Sequence, residues 1–426
     1  MKKCKLFLNV CAALFVVLLA SCSSQEEENL VPSSEGNSVR IKITRSESPE
    51  TRAGAAVSTP VGTTKALEIK KGGHLFFVNA SGNITKYVRV LGSSEGAGDN
   101  ETTVQFTDID NQEGGVIKNV PSASVKVHIF LNLPAAVSNQ LIGKSSGPFS
   151  VIESNVVTAV DLTGGGIALG VDSVAVSGSG NLTATTGNLG GVDYALEAAF
   201  NLTAIASRIE IVQITTAPAS NGYFIKSFDL TGIFINNYYP SVTLGGTLGV
   251  LQNAGASLTA YDETHGQFFY RTQTAVTTLG TYLFTTGATQ NGSFGTYVSY
   301  NAPTTYPYVS AGLGNVWGYN IFPNATASAD LVPHIIIRLS NVVVSDGTTD
   351  YPYDDDQFVT VKGFLSGGSP VTQLQRGVVY QLGGSTSAKF EITFDNLSPQ
   401  PETKPVNALV TATLVNWTTV NVTPAY

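Results

Sequence analysis

The fold class of this chain is decided by the stretch Ser124-Val125-Lys126-Val127-His128-Ile129-Phe130-Leu131-Asn132-Leu133-Pro134. Its odd-numbered residues from 125 to 133 are all apolar, and Lys126 and His128 lie between them. Apolar residues at every second position are typical of a strand that packs one face on a core and turns the other to solvent. The stretch therefore predicts a half-buried antiparallel strand over 125–133.

The same two-residue period recurs along the chain. It is found at Ile209 and Ile211 beside Arg208 and Glu210, and in Ile335/Ile337/Leu339, Val359/Val361 and Phe390/Ile392/Phe394. Small turn-forming residues separate these segments at Gly164-Gly165-Gly166, Ser177-Gly178-Ser179-Gly180-Asn181 and Asp346-Gly347. The best short helical candidate is Tyr194–Phe200, and the absence of a longer repeat argues against propellers and solenoids. Many short strands between turns predict an all-β protein built from β-sandwiches.

Chain length predicts two domains. The 426 residues, 42% of them hydrophobic, are more than one ordinary sandwich needs. The segment Ala217-Pro218-Ala219-Ser220-Asn221-Gly222 combines proline, glycine and small polar residues between two strand-like stretches. We therefore predict an N-terminal domain over 53–218 and a C-terminal domain over 219–426.

The first 22 residues predict export. Three lysines precede an apolar run over 6–19, which is too short to span a bilayer and is typical of a secretory signal. The run ends in Leu19-Ala20-Ser21-Cys22, which resembles the lipobox of bacterial lipoproteins, in which the cysteine is lipidated. The alternative is an ordinary signal peptide with an incidental cysteine. All three cysteines lie in this segment, so we expect no disulfide in the mature chain.

The next segment, 23–52, is polar apart from one island. An acidic cluster, Glu26-Glu27-Glu28, resembles a surface-export tag of Bacteroidota lipoproteins or is a solvated linker. In the island, Val39, Ile41 and Ile43 alternate with Arg40 and Lys42, which predicts a strand with one apolar face. Because a single strand is not stable alone, it must pair with another part of the protein.

An exposed linker follows the island and contains Arg52-Ala53. An arginine before small residues in a Ser/Pro/Glu-rich linker is accessible to a trypsin-like protease. The alternative is that Arg52 is an ordinary linker residue.

The C-terminal segment is uncharged from residue 405 to Tyr426 and rich in β-forming residues. Val410, Ala412 and Leu414 share one face, and the same parity resumes at Val420 and Val422. An uncovered apolar strand offers unpaired backbone groups to other chains. We predict that 406–415 belongs to its own domain and that the tail from Trp417 onward pairs with another molecule.

Several functions are disfavoured by the sequence. A net charge of -8 without a basic block argues against nucleic-acid binding. Gly92-Ser93-Ser94-Glu95-Gly96 matches a nucleophile elbow but is followed by a turn-rich run, and Gly143-Lys144-Ser145 lacks the earlier glycine of a phosphate-binding loop. The four histidines show no metal-ligand spacing. We predict that the protein is not an enzyme and uses no cofactor or metal.

Taken together, these features resemble the fimbrillins, the shaft pilins of Bacteroidia type V pili. The likeness rests on Cys22, the strand around Ile41, Arg52-Ala53, Asn132-Leu133-Pro134, Arg208-Ile209-Glu210-Ile211, Trp317-Gly318-Tyr319-Asn320-Ile321-Phe322-Pro323, and Trp417-Thr418 with Val420 and Val422. Each piece is short, and their order and spacing carry the resemblance, which covers essentially the whole chain.

The resemblance implies two tandem transthyretin-like Greek-key β-sandwich domains in a lipoprotein precursor lipidated at Cys22. An Arg-specific trypsin-like protease would cut between Arg52 and Ala53 and release the propeptide strand that contains Val39, Ile41 and Ile43. The vacated groove would take the C-terminal donor strand of another copy, with Val410, Ala412, Leu414, Trp417, Val420 and Val422 as its residues.

The resemblance also implies the setting of the protein. Its partners would be copies of itself, accessory anchor and tip pilins, the protease, and the outer membrane through the lipid before processing. Its place would be the fimbrium on the cell surface, with a role in adhesion and biofilm formation.

Other readings stay open. The chain could be an anchor or tip subunit of the same pilus, or a surface glycan-binding lipoprotein that uses Tyr238-Tyr239 or the pair Tyr306 and Tyr308 as aromatic platforms. A secreted hydrolase would need a paired acid and base that the sequence does not display.

Overall fold

A computed structural model describes most of the chain. The described residues are 36–43, 69, 71–92, 95, 98–158, 174–211, 213–239, 241–251, 284–285, 308–310, 317–324, 326–366, 369–383, 390–401, 405–406 and 413–416. They are mostly strands with a few short helices, so the predicted all-β class is confirmed. The transthyretin-like form of the two domains stays a prediction.

The first part of the chain supplies twelve described strands and three short helices. The strands are β1 (Asn37–Ile43), β2 (Gly73–Asn79), β3 (Asn83–Leu91), β4 (Thr103–Gln105), β5 (Gly115–Val120), β6 (Ser124–Leu131), β7 (Gly147–Pro148), β8 (Val156–Thr158), β9 (Val176–Asn181), β10 (Thr183–Leu189), β11 (Val192–Phe200) and β12 (Thr203–Ala204). The helices are α1 (Phe106–Ile109), α2 (Ala135–Leu141) and α3 (Ser150–Glu153).

The second part supplies sixteen described strands and two 3₁₀ turns. The strands are β13 (Ser207–Ile211), β14 (Gln213–Thr216), β15 (Phe224–Asn236), β16 (Ser241–Thr243), β17 (Phe284–Thr285), β18 (Tyr308–Ser310), β19 (Trp317–Ile321), β20 (His334–Ser345), β21 (Asp350–Pro352), β22 (Gln357–Val361), β23 (Leu365–Ser366), β24 (Ser369–Pro370), β25 (Val378–Leu382), β26 (Glu391–Ile392), β27 (Pro405–Val406) and β28 (Thr413–Asn416). The 3₁₀ turns are Ala329–Leu331 and Phe394–Asn396.

Two sheets hold eleven of the twelve strands of the first part, while β8 pairs with β16 of the second part. A four-stranded sheet has the order β10-β11-β1-β5, and a seven-stranded sheet has the order β12-β9-β6-β2-β3-β4 with β7 beside β3. Buried apolar side chains from both sheets, including Ile41, Phe76 and Ile129, belong to one contiguous core. This packing places β1 against the main core of the protein.

Three sheets form most of the second part. Their orders are β17-β19-β13-β25-β28, β18-β14-β26 and β15-β20-β22-β27, the last with β21 beside β20. Strands β13 and β14 thus pair with strands after residue 308, whereas β12 pairs with β9. The change of pairing partners therefore lies between β12 and β13, before the predicted domain boundary at 218/219. The two predicted domains stay predictions.

The predicted strand at 125–133 is present as β6, with corrections at both ends: it stops at Leu131, and its start differs from the prediction. Val127, Ile129 and Leu131 are buried, but the side chain of Val125 is 43% exposed. The register between β2 and β6 shifts just there, because Asn79 is opposite Ser124 while Val78 is opposite Lys126. A bulge of this kind adds one residue to one strand and turns its side chain away from the core.

The glycine-rich segment at 177–181 was predicted to be a turn, and this prediction is wrong. The segment lies in β9, paired antiparallel to β6. A Cβ on Gly178 would lie 2.7 Å from the carbonyl oxygen of Asn201, and one on Gly180 would lie 3.0 Å from the ring of Phe200. Glycine serves here to let the strand approach its neighbours closely rather than to reverse the chain.

Two further predictions of local structure are corrected. Tyr194–Phe200, the helical candidate, lies in β11 and pairs with β1 and β10. The strand expected to include Phe394 ends at Ile392, and a capping box at Thr393 and Asn396 begins a 3₁₀ turn there. Pairing with distant strands overrides local helical preference at the first site, and side-chain capping stops the strand at the second.

Candidate functional site

Strand β1 occupies a central position in its sheet. It pairs in parallel with β11 and antiparallel with β5, so it separates two strands that are not otherwise paired with each other. We call this position between β11 and β5 the groove. If β1 left, the facing backbone groups of both neighbours would lose their partners.

The side chains of β1 divide between two faces. Val39 and Ile41 are 0% exposed and Ile43 is 4% exposed, so all three lie in the core. Arg40 and Lys42 lie on the opposite face and are partly exposed. The alternation predicted from the sequence is therefore observed, while the role of this strand as a releasable propeptide stays a prediction.

The groove is shaped by glycine at one end. Gly114 has a φ of +77°, and a Cβ there would lie 2.4 Å from the carbonyl oxygen of Ile41. A residue with a side chain would therefore push β1 away from the start of β5. Gly114 and the backbone of Ile41 approach each other this closely when β1 occupies the groove.

Arg40 is held by three groups on the outer face of the groove. Its Nη1 lies 3.1 Å from Oε2 of Glu197 and 3.2 Å from the hydroxyl of Tyr194, and its Nε donates to the carbonyl oxygen of Glu113. The guanidinium carbon also lies 5.7 Å from the centre of the Tyr194 ring, within the range of a cation–π contact. Sequence analysis placed Arg40 on the outer face but did not find these partners.

The C-terminal strand β28 lies in a different sheet. It pairs antiparallel with β25 at the edge, with Leu414 opposite Tyr380 and Asn416 opposite Val378. The backbone of the predicted donor residue Leu414 is thus already paired within its own chain. The assignment of 406–415 to its own domain and the exchange of the tail stay predictions.

The remaining predicted site residues lie outside the described part of the chain. They are Cys22, Arg52, Ala53, Val410, Ala412, Trp417, Val420 and Val422. The structure therefore brings together the residues of the groove but gives no geometry for the lipidation site, the cleavage site or the tail.

A buried histidine forms an unexpected polar cluster beside β3. His74 is 2% exposed, with Nδ1 3.0 Å from the hydroxyl of Tyr87 and Nε2 2.8 Å from Oγ of Ser138. Burial, with a smaller contribution from Arg89, lowers the pKa of His74 to about 4. In the unfolded chain the imidazole of His74 takes up a proton near pH 6.5, whereas in the folded protein it does so only near pH 4. The free energy of unfolding should therefore decrease as the pH falls from 6.5 towards 4.

A buried ion pair lies in β13. Arg208 Nε is 2.7 Å from Glu210 Oε1, and both side chains are 0% exposed. Asn320 and Gln381, from the two neighbouring strands, also bond to this pair. Sequence analysis put both charges on the outer face of a strand; the structure shows that β13 is buried on both faces.

The aromatic platforms considered for glycan binding differ in exposure. Tyr239 is 9% exposed, and burial raises the pKa of Tyr238 to about 12. Tyr308 is 38% exposed, and Tyr306 lies outside the described residues. Tyr239 is therefore covered, whereas Tyr238 is partly exposed.

Metal and membrane sites were sought in the described ranges. Those residues contain no group of three or more histidine, cysteine or acidic side chains arranged to hold a metal ion. Among the helices that are described, none has the length and apolar character needed to cross a membrane.

Comparison with known proteins gives structural neighbours only. No family model and no curated protein matches the chain. Among similar solved structures, a fimbrilin (FimA) from Porphyromonas gingivalis shares 12% identity, with 91% of this chain and 99% of that chain covered and a TM-score of 0.45. A candidate cell adhesion protein from Parabacteroides distasonis shares 13% identity, with 91% and 99% covered and a TM-score of 0.46. The tip fimbrial protein Mfa3 from Porphyromonas gingivalis shares 10% identity, with 89% and 99% covered and a TM-score of 0.39.

Proposed function

We propose that this protein is a structural subunit of a cell-surface fimbrium that polymerises by strand exchange after proteolysis. The observation that carries the proposal is the place of β1. A strand from the segment before the predicted cleavage site completes a sheet from its centre. A strand in that place can be exchanged for one of similar pattern from another molecule, which is a known mode of protein recognition.

The proposed trigger is a cut between Arg52 and Ala53. Before the cut, β1 is tethered to the domain it completes, and its high effective concentration excludes other strands. After the cut, β1 is held by non-covalent contacts alone. The precursor is thereby kept monomeric until it meets an Arg-specific trypsin-like protease.

The burial of β1 sets the free energy that a donor strand must exceed. Each of Val39, Ile41 and Ile43 is buried. Burial of a large aliphatic side chain contributes about 1.5 to 3 kcal/mol, so three contribute roughly 5 to 9 kcal/mol before the cost of ordering the strand. A donor strand that buries more apolar side chains than β1 would replace it.

The proposed donor is the C-terminal tail of another copy. The groove and β28 lie in different sheets, so the contact between two copies joins unlike surfaces. Contacts of that kind repeat without closing and produce filaments. Lipidation at Cys22 would hold the precursor on the outer membrane before the cut, and anchor and tip pilins would end the fibre. The resulting fimbrium would support adhesion and biofilm formation.

The test replaces the arginine at the cleavage site. Arg52→Ala should leave the propeptide attached and the protein monomeric, while the wild-type surface material should begin at Ala53 and form fibres. Arg45→Ala, in the same linker, is the matched control and should polymerise normally. N-terminal sequencing and electron microscopy are the measurements.

Two results would contradict the proposal. Arg52→Ala chains that form fibres at the usual rate and length would show that this cut is not the trigger. Monomeric surface protein that begins at a lipid-bearing Cys22 would favour a glycan-binding lipoprotein instead.

A further inference from the structure

The outer face of the groove contains a site for a positive charge. We propose that Glu197, Tyr194 and the backbone carbonyl of Glu113 form a subsite that binds a guanidinium or ammonium group on whichever strand fills the groove. The groove then selects strands that carry arginine or lysine at the position level with Glu197, which Arg40 fills in β1. This inference rests on the proposed function, because it concerns which strands replace β1.

The subsite belongs to the groove rather than to β1. Glu197 and Tyr194 lie on β11, and Glu113 lies just before β5, so all three groups stay in place when β1 leaves. Within the described residues, the carboxylate of Glu197 makes its hydrogen bond and ion pair with Arg40 alone. An empty groove would therefore present an acidic group, a phenol and a carbonyl oxygen that all favour a cation.

Lys42 shows that this preference is local. It lies two residues further along β1 on the same face, yet it makes no hydrogen bond or ion pair with any described residue. A positive charge is therefore recognised at the level of Arg40 and not along the whole outer face. Lys42 provides a matched control for Arg40.

The chain's own tail brings no positive charge to the subsite. Residues 405–426 contain no lysine or arginine. The tail of a second copy would bury its apolar residues but leave Glu197 without its partner. The subsite therefore favours β1 over the tail, and the tail of another copy must offset this lost contact by burying more apolar side chains than β1 does.

The expected preference is moderate. The side chains of Arg40 and Glu197 are 20% and 27% exposed, so solvent partly screens their attraction. A partly screened ion pair together with a cation–π contact corresponds to an affinity difference of about tenfold.

The experiment measures strand affinity in the cut protein. A sequence-specific protease site is placed within residues 46–51 of the full precursor, which is then cut so that β1 is held without a tether. A fluorescent peptide of residues 36–44 competes for the groove, and anisotropy gives its affinity. The R40Q peptide should bind about tenfold more weakly than the wild-type peptide, and the K42Q peptide should bind within about twofold of it.

The same peptides are then tested on protein variants. With Glu197→Gln the preference for the wild-type over the R40Q peptide should fall from about tenfold to about threefold, because the negative charge is gone while the Tyr194 ring remains. Tyr194→Phe keeps the ring and should reduce the preference for arginine only partly. Circular dichroism of each variant shows that it is folded, and Tyr194→Phe supplies the test if Glu197→Gln does not fold.

The outcomes separate this inference from the proposed function. Equal binding of the wild-type and R40Q peptides to the wild-type protein would overturn the subsite and leave strand exchange standing. Failure of every peptide to bind after the cut would overturn strand exchange and the subsite with it.

Discussion

The buried ion pair of Arg208 and Glu210 limits which substitutions the fold tolerates at these two positions. Two charges that are 0% exposed are stable only because each has the other, with Asn320 and Gln381 nearby. Within the described residues, the Nη2 of Arg208 is buried without a hydrogen-bond partner. The guanidinium is therefore already incompletely satisfied, and it depends strongly on Glu210.

Replacing Glu210 should be strongly destabilising. Glu210→Gln keeps the shape of the side chain but leaves the buried guanidinium without a countercharge, so the free energy of unfolding should fall by about 3 to 5 kcal/mol. Glu197→Gln is the control, because its pair with Arg40 is partly exposed and should cost about 1 kcal/mol or less. Urea denaturation of the full precursor gives both values. Equal losses in the two variants would contradict this account.

At the scale of elements, the sequence predicts strand faces better than strand partners. The apolar period correctly identified β1, β6, β20 and β22, because apolar side chains at every second position of each are packed in a core, although β22 is buried at its other positions too. It did not show that β1 pairs with β11, more than 150 residues away, since pairing depends on the whole fold. Gly178 and Gly180 were misread because glycine marks both turns and close approaches.

In the candidate site too, the sequence predicts which face of the strand is apolar but not which residues the strand contacts. The apolar face of β1 could be predicted, because Val39, Ile41 and Ile43 repeat at every second position. The subsite around Arg40 could not, because Glu113 and Glu197 are distant in sequence and meet Arg40 only when β1 is seated.

A substitution at the buried side chain of Ile41 tests how strongly the groove binds β1. Ile41→Ala removes atoms from a fully buried side chain. The free energy that binds β1 in the groove should therefore become less favourable by about 2 to 5 kcal/mol. Amide hydrogen exchange in β5 and β11 should then become faster, while β20 in the other part of the chain should stay protected. Lys42→Ala, on the outer face, should leave all three strands unchanged. Unaltered exchange in β5 and β11 for Ile41→Ala would show that β1 does not hold them.

The two strands that we propose for assembly lie in separate sheets of the molecule. β1 completes the sheet β10-β11-β1-β5, and β28 ends the sheet β17-β19-β13-β25-β28. The first sheet is built from residues before 201 and the second from residues after 206. One molecule can therefore offer a groove at one place and a tail at another, which is what growth in one direction requires.

Removal of the tail tests this arrangement. A chain that stops after Asn416 keeps β28 and its pairing with β25, so it should fold with the stability of the full chain. It should still accept a strand in its groove after the cut at Arg52, but it should have no strand to offer, and mixed with wild-type chains it should shorten the fibres. A chain that stops after Val406 also loses β28 and should be less stable, which separates folding from exchange. Fibres of normal length built from the Asn416 truncation alone, seen by electron microscopy, would rule out the tail as the donor.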